Sequence, residues 1–514
     1  MKNSFKRLVA LIAVSAIAVS SAACKKEEKA EQTNNITYWC SLDGNTVQTA
    51  SSLGDTHFAK ELMERVGCTI EYQHPASGQA AEKFNILTAM KELPDIIEFY
   101  WDTAYPGGGK KALDDGIIME IDMKNDAPNL YAYLQQHPEV DKLVKTDDGR
   151  YFGFPMIRGD EYLQTYIGPI VRKDWLDELG LEEPETIDEW TTMLRAFKEK
   201  KNVVAPLTIT LNNMNGFGVF SGAYGTYHDL YVQDGVVKYG PLDDSYKEYL
   251  KLLNDWYEEG LLDADFASVD GTTIQGNILN GISGATAGSC GGNLGKWLSA
   301  GTSEGFDLAG VKYPVLKKGE KPQFAQMGPV VDGMYAAITK DCKNYELCVK
   351  LLDYGYSEEG HNLFNFGIEG ESYTMVDGYP TYTENVTNNP DGLSMSASMA
   401  QYCRSHNTGA FIQDRRYMEQ YAQLPQQKEA LNNWLYHDMN DHMMPTLNLT
   451  SEQETELASS IEAISTYKNQ MQMKFITGAE SLDNYDEFIK GLKERNIDKY
   501  IKYYQQAYDR FMKK

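Results

Sequence analysis

The sequence predicts an α/β protein with two lobes, and three observations lead to this prediction. Short β-prone runs alternate with helical patterns over residues 36–100, which is typical of a parallel sheet with helices on its faces. The same alternation resumes near Tyr166. The part of the 514-residue chain that is expected to fold, residues 36–514, is longer than one hydrophobic core usually supports.

Residues 1–23 are predicted to form a signal peptide ahead of the folded part. A basic start leads into an apolar run over residues 8–19, and about twelve residues are too few for a helix to cross a bilayer. The small residues before Cys24 resemble a lipobox, in which the cysteine receives a diacylglycerol and becomes the first mature residue. Plain secretion with cleavage elsewhere is the alternative. Residues 24–35 are polar and are predicted to be a flexible tether.

The first lobe is predicted over residues 36–155, with a return segment near residues 325–375. Its first helix should bury Phe58, Leu62 and Val66, which share one helical stripe. The opening elements alternate between strand and helix and are predicted at residues 36–39, 56–66, 68–72, 82–90 and 95–100.

The second lobe is predicted over residues 156–324, together with a helical segment at residues 376–514. Thr186 and Glu189 match a capping box at the start of a helix, which gives Glu189 a structural role. Gly180 should end the preceding helix. Strands are predicted at residues 166–172, 203–210, 282–287 and 334–339, and helices at residues 173–179 and 244–259.

The charge of the chain excludes one class of partner. Its 74 acidic residues outnumber 48 basic ones, for a formal net charge of −26. Such a surface repels phosphate backbones, so we expect no nucleic acid partner. The sequence contains no H-E-x-x-H, no C-x-x-C and no phosphate-binding G-x-x-x-x-G-K-[ST]. We therefore expect no metal site and no cofactor.

Six cysteines remain besides Cys24. Export permits disulfides, but their pairing cannot be deduced from sequence. Cys40 and Cys68 flank the first strand-helix-strand unit, and Cys342 and Cys348 share one local segment. Buried free thiols are the alternative.

Several segments, in their order along the chain, resemble the extracellular solute-binding proteins of carbohydrate-type ABC importers, family 1, and in particular their large lipoprotein branch. The resemblance implies a periplasmic-binding-protein-like fold, with two α/β lobes, a hinge and a ligand cleft between the lobes. It also implies docking onto the permease of an ABC importer. Gly367 and Gly370 would then mark a hinge connection between the lobes. The segments are LPDII at 93–97, RKDWLDELG at 172–180, PETIDEW at 184–190, DWYEEGLL at 255–262, GIEG at 367–370 and KFITG at 474–478.

A physical rule suggests where such a cleft lies. In open parallel sheets, ligands bind beyond the carboxyl ends of the strands. Tryptophan and tyrosine rings there could stack on sugar rings, while hydroxyl groups need acceptors and forked donors. Core packing is the alternative for each aromatic ring. Residues that follow the predicted strands, and so are candidate ligand contacts, are Trp39, Asp43, Trp101, Tyr105, Arg172, Asp174, Ser289 and Asn293.

The sequence therefore predicts a monomeric, lipid-anchored binding protein outside the cell membrane that captures a sugar or oligosaccharide and makes or breaks no bond. Ligand contact with both lobes would favour closure, and the permease would recognise the closed form. An exported carbohydrate-active enzyme and a ligand sensor for a membrane receptor are the alternatives. A peptide or another charged solute is an alternative ligand.

Overall fold

The structure is a computed structural model that describes residues 34–404 and 408–514. The predicted signal peptide, the predicted lipidation site Cys24 and the tether up to residue 33 lie outside the described residues. The described strands are β1 (Asn35–Trp39), β2 (Thr69–Gln73), β3 (Ile96–Phe99), β4 (Phe154–Arg158), β5 (Ile167–Arg172), β6 (Leu230–Gln233), β7 (Val236–Tyr239), β8 (Ala285–Ser289), β9 (Leu308–Gly310), β10 (Val331–Ile338), β11 (Tyr373–Val376), β12 (Tyr379–Tyr382) and β13 (Phe411–Gln413).

Helices make up most of the rest. Within the described ranges, none of them combines the length and the apolarity needed to cross a bilayer. The α-helices are α1 (His57–Val66), α2 (Ala80–Thr88), α3 (Trp101–Ala104), α4 (Gly108–Asp114), α5 (Met123–Asp126), α6 (Pro128–Gln136), α7 (Pro138–Val144), α8 (Lys173–Leu179), α9 (Ile187–Lys200), α10 (Leu211–Gly216), α11 (Asp244–Glu258), α12 (Gly271–Leu279), α13 (Lys296–Ala300), α14 (Tyr345–Tyr354), α15 (Glu358–Phe366), α16 (Glu384–Thr387), α17 (Met395–Tyr402), α18 (Arg415–Tyr421), α19 (Pro425–Trp434), α20 (Ser451–Ile476), α21 (Tyr485–Glu494) and α22 (Ile497–Met512).

The first lobe is built on a six-stranded sheet of order β13-β4-β10-β3-β1-β2. Strand β1 runs parallel to β2 and β3, as the alternating pattern predicts. Strand β10 is antiparallel to both β3 and β4, because the chain returns to this sheet from the other lobe. Strand β13 lies in the segment predicted for the second lobe, yet it pairs with β4 at the edge of the first sheet.

The first core lies on this sheet. Helix α1 begins after Thr56, whose hydroxyl accepts a hydrogen bond from the Ala59 amide, and it ends at Gly67, where φ is +79°. Such a positive φ suits glycine. Phe58, Leu62 and other residues of the predicted stripe are buried, so the prediction for this helix is confirmed.

The second lobe is built on a three-stranded sheet of order β8-β5-β9, and both of its strand pairs are antiparallel. The parallel arrangement expected here is therefore wrong. The strand predicted at residues 203–210 is also absent from the described elements. Leu207 instead forms isolated parallel bridges with Leu262 and Ala285.

The second core packs helices onto this small sheet. Trp190, Trp256, Trp297 and Trp434 are fully buried in the second lobe. The predicted capping box at the start of α9 is present. Helices α20 and α21 pack against the same core, so the C-terminal part of the chain belongs to this packing unit.

The chain passes repeatedly between the two sheets. Residues 159–166 lead from β4 into β5, and residues 311–330 lead back from β9 into β10. Two separate buried cores flank these connections. This arrangement leaves a gap between the lobes, next to these connecting segments.

Candidate ligand-binding cleft

A cavity of about 450 Å³ lies between the two lobes. This volume falls within the range of small-molecule sites, roughly 300–1,000 Å³. Residues of both sheets line it, including the ends of β4, β8 and β13 and the start of β10. Both lobes would therefore touch any molecule bound there.

The first lobe presents an ion pair to the cavity. Arg158 ends β4, Asp332 is the second residue of β10, and Nη1 of Arg158 lies 2.9 Å from Oδ1 of Asp332. The same Nη1 donates a hydrogen bond of 2.9 Å to the Pro329 carbonyl. The two side chains are only 11% and 21% exposed. The pair is thus preorganised and internally neutralised before any ligand arrives.

Strand β10 separates this cavity from a second one of about 370 Å³. Asp332 and Met334 line the cleft, whereas Val331, Gly333 and Tyr335 line the second cavity. Side chains alternate between the faces of a strand, so β10 faces both cavities.

Asp43 also lines the cavity, just after β1. Its carboxylate accepts hydrogen bonds from the backbone amides of Asn45 and Thr46 and from the Thr46 hydroxyl. Burial favours the neutral acid, but these hydrogen bonds, with the charge of Arg404, lower the pKa of Asp43 below its ordinary value. Asp43 therefore stays ionised and is largely committed to holding its own turn.

The second lobe contributes tyrosine rings. Tyr417 and Tyr421, one turn apart on α18, line the cavity together with Tyr166, which immediately precedes β5. The Tyr417 hydroxyl accepts a hydrogen bond of 3.1 Å from Nε2 of Gln413. Burial raises the pKa of Tyr417 and of Tyr421, so both hydroxyls stay protonated at neutral pH.

Ser289 and Asn293 act together at the end of β8. Ser289 lines the cavity. The backbone amide and the hydroxyl of Ser289 donate hydrogen bonds to Oδ1 of Asn293, at 2.8 and 3.0 Å. Asn293 thus lies behind Ser289 and positions it. The following residues, Cys290–Gly295, form a π-helix. A side chain at Gly291 would lie 2.3 Å from the Tyr421 ring, so glycine is needed for this close packing.

The predicted contacts Trp39 and Trp101 lie in the first core instead of the cavity. Trp39 packs edge-on to Phe99, with ring centroids 5.7 Å apart. Trp101 is fully buried, and its indole N–H donates to the Ile97 carbonyl at 3.2 Å. Tyr105 lies at the side of this core, and its hydroxyl donates a hydrogen bond of 2.9 Å to the carboxylate of Asp115, which follows α4. Core packing, the alternative, describes these rings.

Tyr100 is a partly exposed aromatic residue next to the cleft that does not belong to the cavity lining. It immediately follows β3, is 39% exposed, and lies 3.9 Å from where a side chain at Gly333 would stand. Burial and the nearby Asp332 raise the pKa of Tyr100. One position separates it from Trp101, and consecutive side chains at a strand end point in different directions.

Arg172 and Asp174 are paired with each other away from the cavity. The Arg172 guanidinium donates to both Asp174 oxygens, at 2.8 and 2.5 Å, and stacks over Trp175 and Phe306. The reason is the strand direction. Strand β5 begins at Ile167, opposite Ser289, so its carboxyl end lies at the far side of the sheet. The expectation that ligands bind beyond the carboxyl ends of strands holds for parallel sheets, and it fails here because the neighbouring strands are antiparallel.

A buried ion pair that the sequence did not reveal supports the rim of the cavity. Glu98 accepts hydrogen bonds from Arg404 Nη2 (3.0 Å), the Thr408 hydroxyl (2.7 Å) and the Tyr38 hydroxyl (2.6 Å). Burial opposes the charge of Arg404, but the neighbouring Glu98 raises its pKa, so the guanidinium stays charged. Thr408, which lines the cavity, is fixed by this cluster.

The predicted hinge glycines differ in their surroundings. Gly367 ends α15 with φ of +89°, and a side chain there would lie 2.3 Å from the Ser372 hydroxyl. Gly370 has φ of +86° with open space around it. Phe366 packs in the second core and Ile368 against the first, so the chain passes between lobes here. A hinge role for this segment stays a prediction.

The cleft carboxylates do not suit general acid catalysis. Glycoside hydrolysis needs a carboxylic acid with a raised pKa, whereas the pKa of Asp43 is lowered and Asp332 is held by Arg158.

One G-x-S-x-G motif, residues 301–305, lies in a largely exposed loop that follows a helix and precedes β9. This order is the reverse of a strand-to-helix nucleophile elbow. Among the residues that the structure describes, no cluster of His, Cys, Asp and Glu could hold a metal ion.

Comparison with known proteins gives a consistent picture. The sequence profile of the family described as "Bacterial extracellular solute-binding protein" matches residues 50–362. Lipoprotein LipO of Bacillus subtilis (strain 168) is 24% identical over 375 residues, which are 70% of this chain and 72% of LipO. The fructooligosaccharide ABC transporter substrate-binding protein FusA of Streptococcus pneumoniae is 27% identical over 336 residues, which are 61% of this chain and 60% of FusA.

Solved structures show the same architecture. The structure of FusA in complex with kestose superposes with a TM-score of 0.72 at 21% identity, covering 93% of this chain and 99% of FusA. The HMO-binding, ABC-transporter-associated solute-binding protein of Bifidobacterium longum infantis gives a TM-score of 0.73 at 20% identity, with coverage of 94% and 100%. The predicted periplasmic-binding-protein-like fold of two α/β lobes is confirmed.

Proposed function

This chain belongs to the bacterial extracellular solute-binding proteins, and we propose that it captures a short neutral saccharide in the cavity between its lobes and delivers it to the permease of an ABC importer. One observation carries the proposal. The cavity combines tyrosine rings from one lobe with hydrogen-bonding side chains from the other. Fructooligosaccharide binding by the similar FusA supports the same class of ligand.

The lining suits the two chemical parts of a sugar. The apolar faces of a pyranose or furanose ring can stack on Tyr166 and Tyr421. Hydroxyl groups both donate and accept, and the forked guanidinium of Arg158 and the carboxylate of Asp332 offer the complementary groups. The Ser289 hydroxyl adds a group that can serve either way.

Charge favours a neutral saccharide over an acidic one. Among the described residues, the cavity lining contains one cation, Arg158, and two carboxylates, Asp43 and Asp332. Since Arg158 is already paired with Asp332, an anionic sugar would meet no uncompensated positive charge in the part of the lining that the structure describes. Like charges brought together in a desolvated site cost free energy, so uronate-containing chains should be rejected.

Binding and closure are coupled in this mechanism. A saccharide that touches Arg158 and Tyr421 at once stabilises the arrangement in which the two lobes are close. The permease then recognises that closed form. The protein makes and breaks no bond in the sugar.

The chain acts outside the cytoplasm, as its family does, and we propose that Cys24 carries the anchor. Family membership and the similarity to a lipoprotein support this proposal. A diacylglycerol supplies two acyl chains, which suffice for stable anchoring, whereas one does not. Changing Cys24 to Ser should release the protein from membranes into the soluble fraction, and unchanged membrane association would contradict a lipid at Cys24.

A matched ligand panel tests the proposal. Isothermal titration calorimetry would compare kestose and maltotriose with trigalacturonate and a tripeptide, and we expect binding of a neutral sugar only. Ligand at a hundred times its Kd should also add about 2.7 kcal/mol to the free energy of unfolding. Exclusive binding of trigalacturonate or the tripeptide would contradict the proposal.

Two further measurements separate the alternatives. Chromatography of the sugar after long incubation should return it intact, and shortened products would indicate an enzyme. Deletion of the gene should abolish uptake of the bound sugar. Normal uptake would instead favour the sensor alternative.

A further inference from the structure

Two cysteines of the first lobe lie in contact at the start of α14. Sγ of Cys342 is 3.4 Å from Sγ of Cys348. Cys342 is partly exposed, and Cys348 is fully buried against the first core. No role in the ligand cleft uses either thiol, since both lie outside the cavity lining.

Backbone hydrogen bonds hold the two thiols in this position. The Cys342 amide donates to the Thr339 carbonyl at 3.2 Å, and the Cys348 amide donates to the Asn344 carbonyl at 3.0 Å. Between them, the Lys343 amide donates to the Asp95 carboxylate at 2.8 Å. The contact therefore comes from an ordered turn that joins β10 to α14.

The other described cysteines have different surroundings. Sγ of Cys40 lies 3.9 Å from the His74 ring, and Sγ of Cys290 faces the Gln427 carbonyl at 3.6 Å. The β1–β2 register places Asn35 opposite Thr69 and Trp39 opposite Gln73, so Cys40 and Cys68 lie at opposite ends of the strand pair. Five residue pairs lie between them, so six rises of about 3.3 Å separate the two cysteines by about 20 Å, too far for the bridge that their sequence positions suggested.

We propose that Cys342 and Cys348 form a disulfide once the chain has been exported. A normal disulfide needs sulfurs about 2.05 Å apart, which a shift of little more than 1 Å in this contact provides. Secreted proteins keep such bonds because their compartment is oxidising. The inference depends on export and not on the identity of the ligand.

The oxidant is the disulfide of an exported thiol oxidoreductase. The Cys342 thiolate, on the accessible side, attacks one oxidant sulfur and forms a mixed disulfide, while the other oxidant sulfur leaves as a thiolate. Cys348 then loses its proton and attacks Sγ of Cys342, which releases the oxidant as a dithiol. Two protons and two electrons leave the cysteine pair, and the oxidant takes up both electrons. The contact with Cys348, whose thiol can donate to a Cys342 thiolate, lowers the pKa of Cys342, which suits its role as the first nucleophile.

Cys68 is the competitor for this pairing. Its charge contributes to the raised pKa of Cys348, so the two lie in the same neighbourhood. The direct 3.4 Å contact favours Cys342 over Cys68. The experiment must therefore identify the partner as well as the bond.

Peptide mapping of the full exported chain tests the proposal. The protein is blocked with N-ethylmaleimide in denaturant without reductant and digested with trypsin, which cuts after Lys340, Lys343 and Lys350. We expect residues 341–343 and 344–350 to appear as one linked species that separates on reduction. Maleimide on both Cys342 and Cys348, or a bridge from Cys348 to Cys68, would overturn the proposal.

Thermal unfolding provides an independent measurement. Reduction should lower the Tm of the wild-type chain by about 5 °C, because a short closed loop no longer restricts the unfolded chain. The double variant Cys342→Ser, Cys348→Ser should show the lower Tm with or without reductant, and Cys290→Ser should keep the sensitivity to reductant. A Tm of the wild type that does not respond to reduction would contradict the bond. The double variant should bind the tightest-binding neutral sugar of the panel as the wild type does, so failure here and failure of the saccharide proposal are distinguishable.

Discussion

The two lobes supply different chemistry to the same cavity. The first lobe contributes charges, in Arg158, Asp332 and Asp43, and the second contributes rings, in Tyr166, Tyr417 and Tyr421. Charges on the first side are paired or hydrogen-bonded within their own lobe, whereas the tyrosine faces offer apolar area. A neutral molecule with both flat apolar faces and hydroxyl groups matches the two sides together. The comparison teaches that neither lobe alone forms the site.

Breaking the charged side should have the largest effect on binding. Arg158→Met removes the forked donor and leaves Asp332 without its partner in a largely buried position. We expect the Kd for the tightest-binding neutral sugar of the panel to rise at least a hundredfold, or about 3 kcal/mol, by calorimetry. Arg415→Met, an exposed arginine outside the cavity, is the matched control. Equal affinities for the two variants would contradict the role of Arg158.

Acid should weaken the lobe that supplies the rings. Burial lowers the pKa of His437 to about 4 and of His228 to about 3, and both lie in or beside the second lobe. The unfolded chain binds these protons near pH 6.5, so stability is full above pH 6.5 and falls as pH drops toward these folded values. Each histidine should cost about 2 kcal/mol of the free energy of unfolding by pH 5.

Urea unfolding at pH 7 and pH 5 measures this loss. In the native protein, Nδ1 of His437 accepts a hydrogen bond from the Met439 amide, and an asparagine side chain can accept the same bond. The His437→Asn variant should therefore show a smaller pH dependence of the free energy of unfolding. His57→Asn, at an exposed position, is the control and should leave the dependence unchanged. An identical pH dependence for His437→Asn and the wild type would show that His437 does not titrate as its burial implies.

Removing one ring should have a smaller effect than removing the charge. Tyr421→Ala should weaken sugar binding about tenfold to thirtyfold, since one stacking face contributes roughly 1–2 kcal/mol. Tyr421→Phe keeps the face and should lose much less. Tyr379 lies in β12 and contacts α18 outside the cavity, through a hydrogen bond from its hydroxyl to Glu419. The Tyr379→Ala variant should therefore bind sugar normally. If Tyr421→Phe loses as much sugar affinity as Tyr421→Ala, the hydroxyl and not the ring face accounts for the effect.

Asp43 should matter least to the ligand. Its oxygens already accept hydrogen bonds from Asn45 and Thr46, so Asp43→Asn should change sugar affinity less than threefold. The free energy of unfolding should fall by about 1 kcal/mol, as for the loss of a helix cap. Asp332→Asn is the comparison, with a clearly larger loss of affinity. If Asp43→Asn is the more damaging of the two for binding, Asp43 contacts the ligand directly.

Local patterns in the sequence were sufficient for the α/β class and for the main elements of the first lobe, whereas the periplasmic-binding-protein-like fold was expected from the family resemblance. The stripe on α1, the capping box of α9 and the parallel order of β1, β2 and β3 all follow from residue spacing. The direction of β5 relative to β8 does not follow from such spacing, because it depends on how the chain returns from distant segments. The rule that placed Asp43 at the cavity therefore misplaced Arg172.

The site itself was only partly accessible from sequence. Arg158 and Asp332 are far apart in the chain and meet only because β4 and β10 pair in the first sheet. Tyr417 and Tyr421 lie on a short helix within a segment predicted to be generally helical, with no local sign that it faces a cleft.

The most direct test of the central claim is a crystal structure of the protein with the tightest-binding neutral saccharide of the panel. We predict electron density for the sugar between the lobes, with a ring face against Tyr166 or Tyr421 and hydroxyl groups within hydrogen-bond distance of Arg158 or Asp332. A sugar bound to one lobe only, or outside the cavity, would contradict the claim that the two lobes form one site.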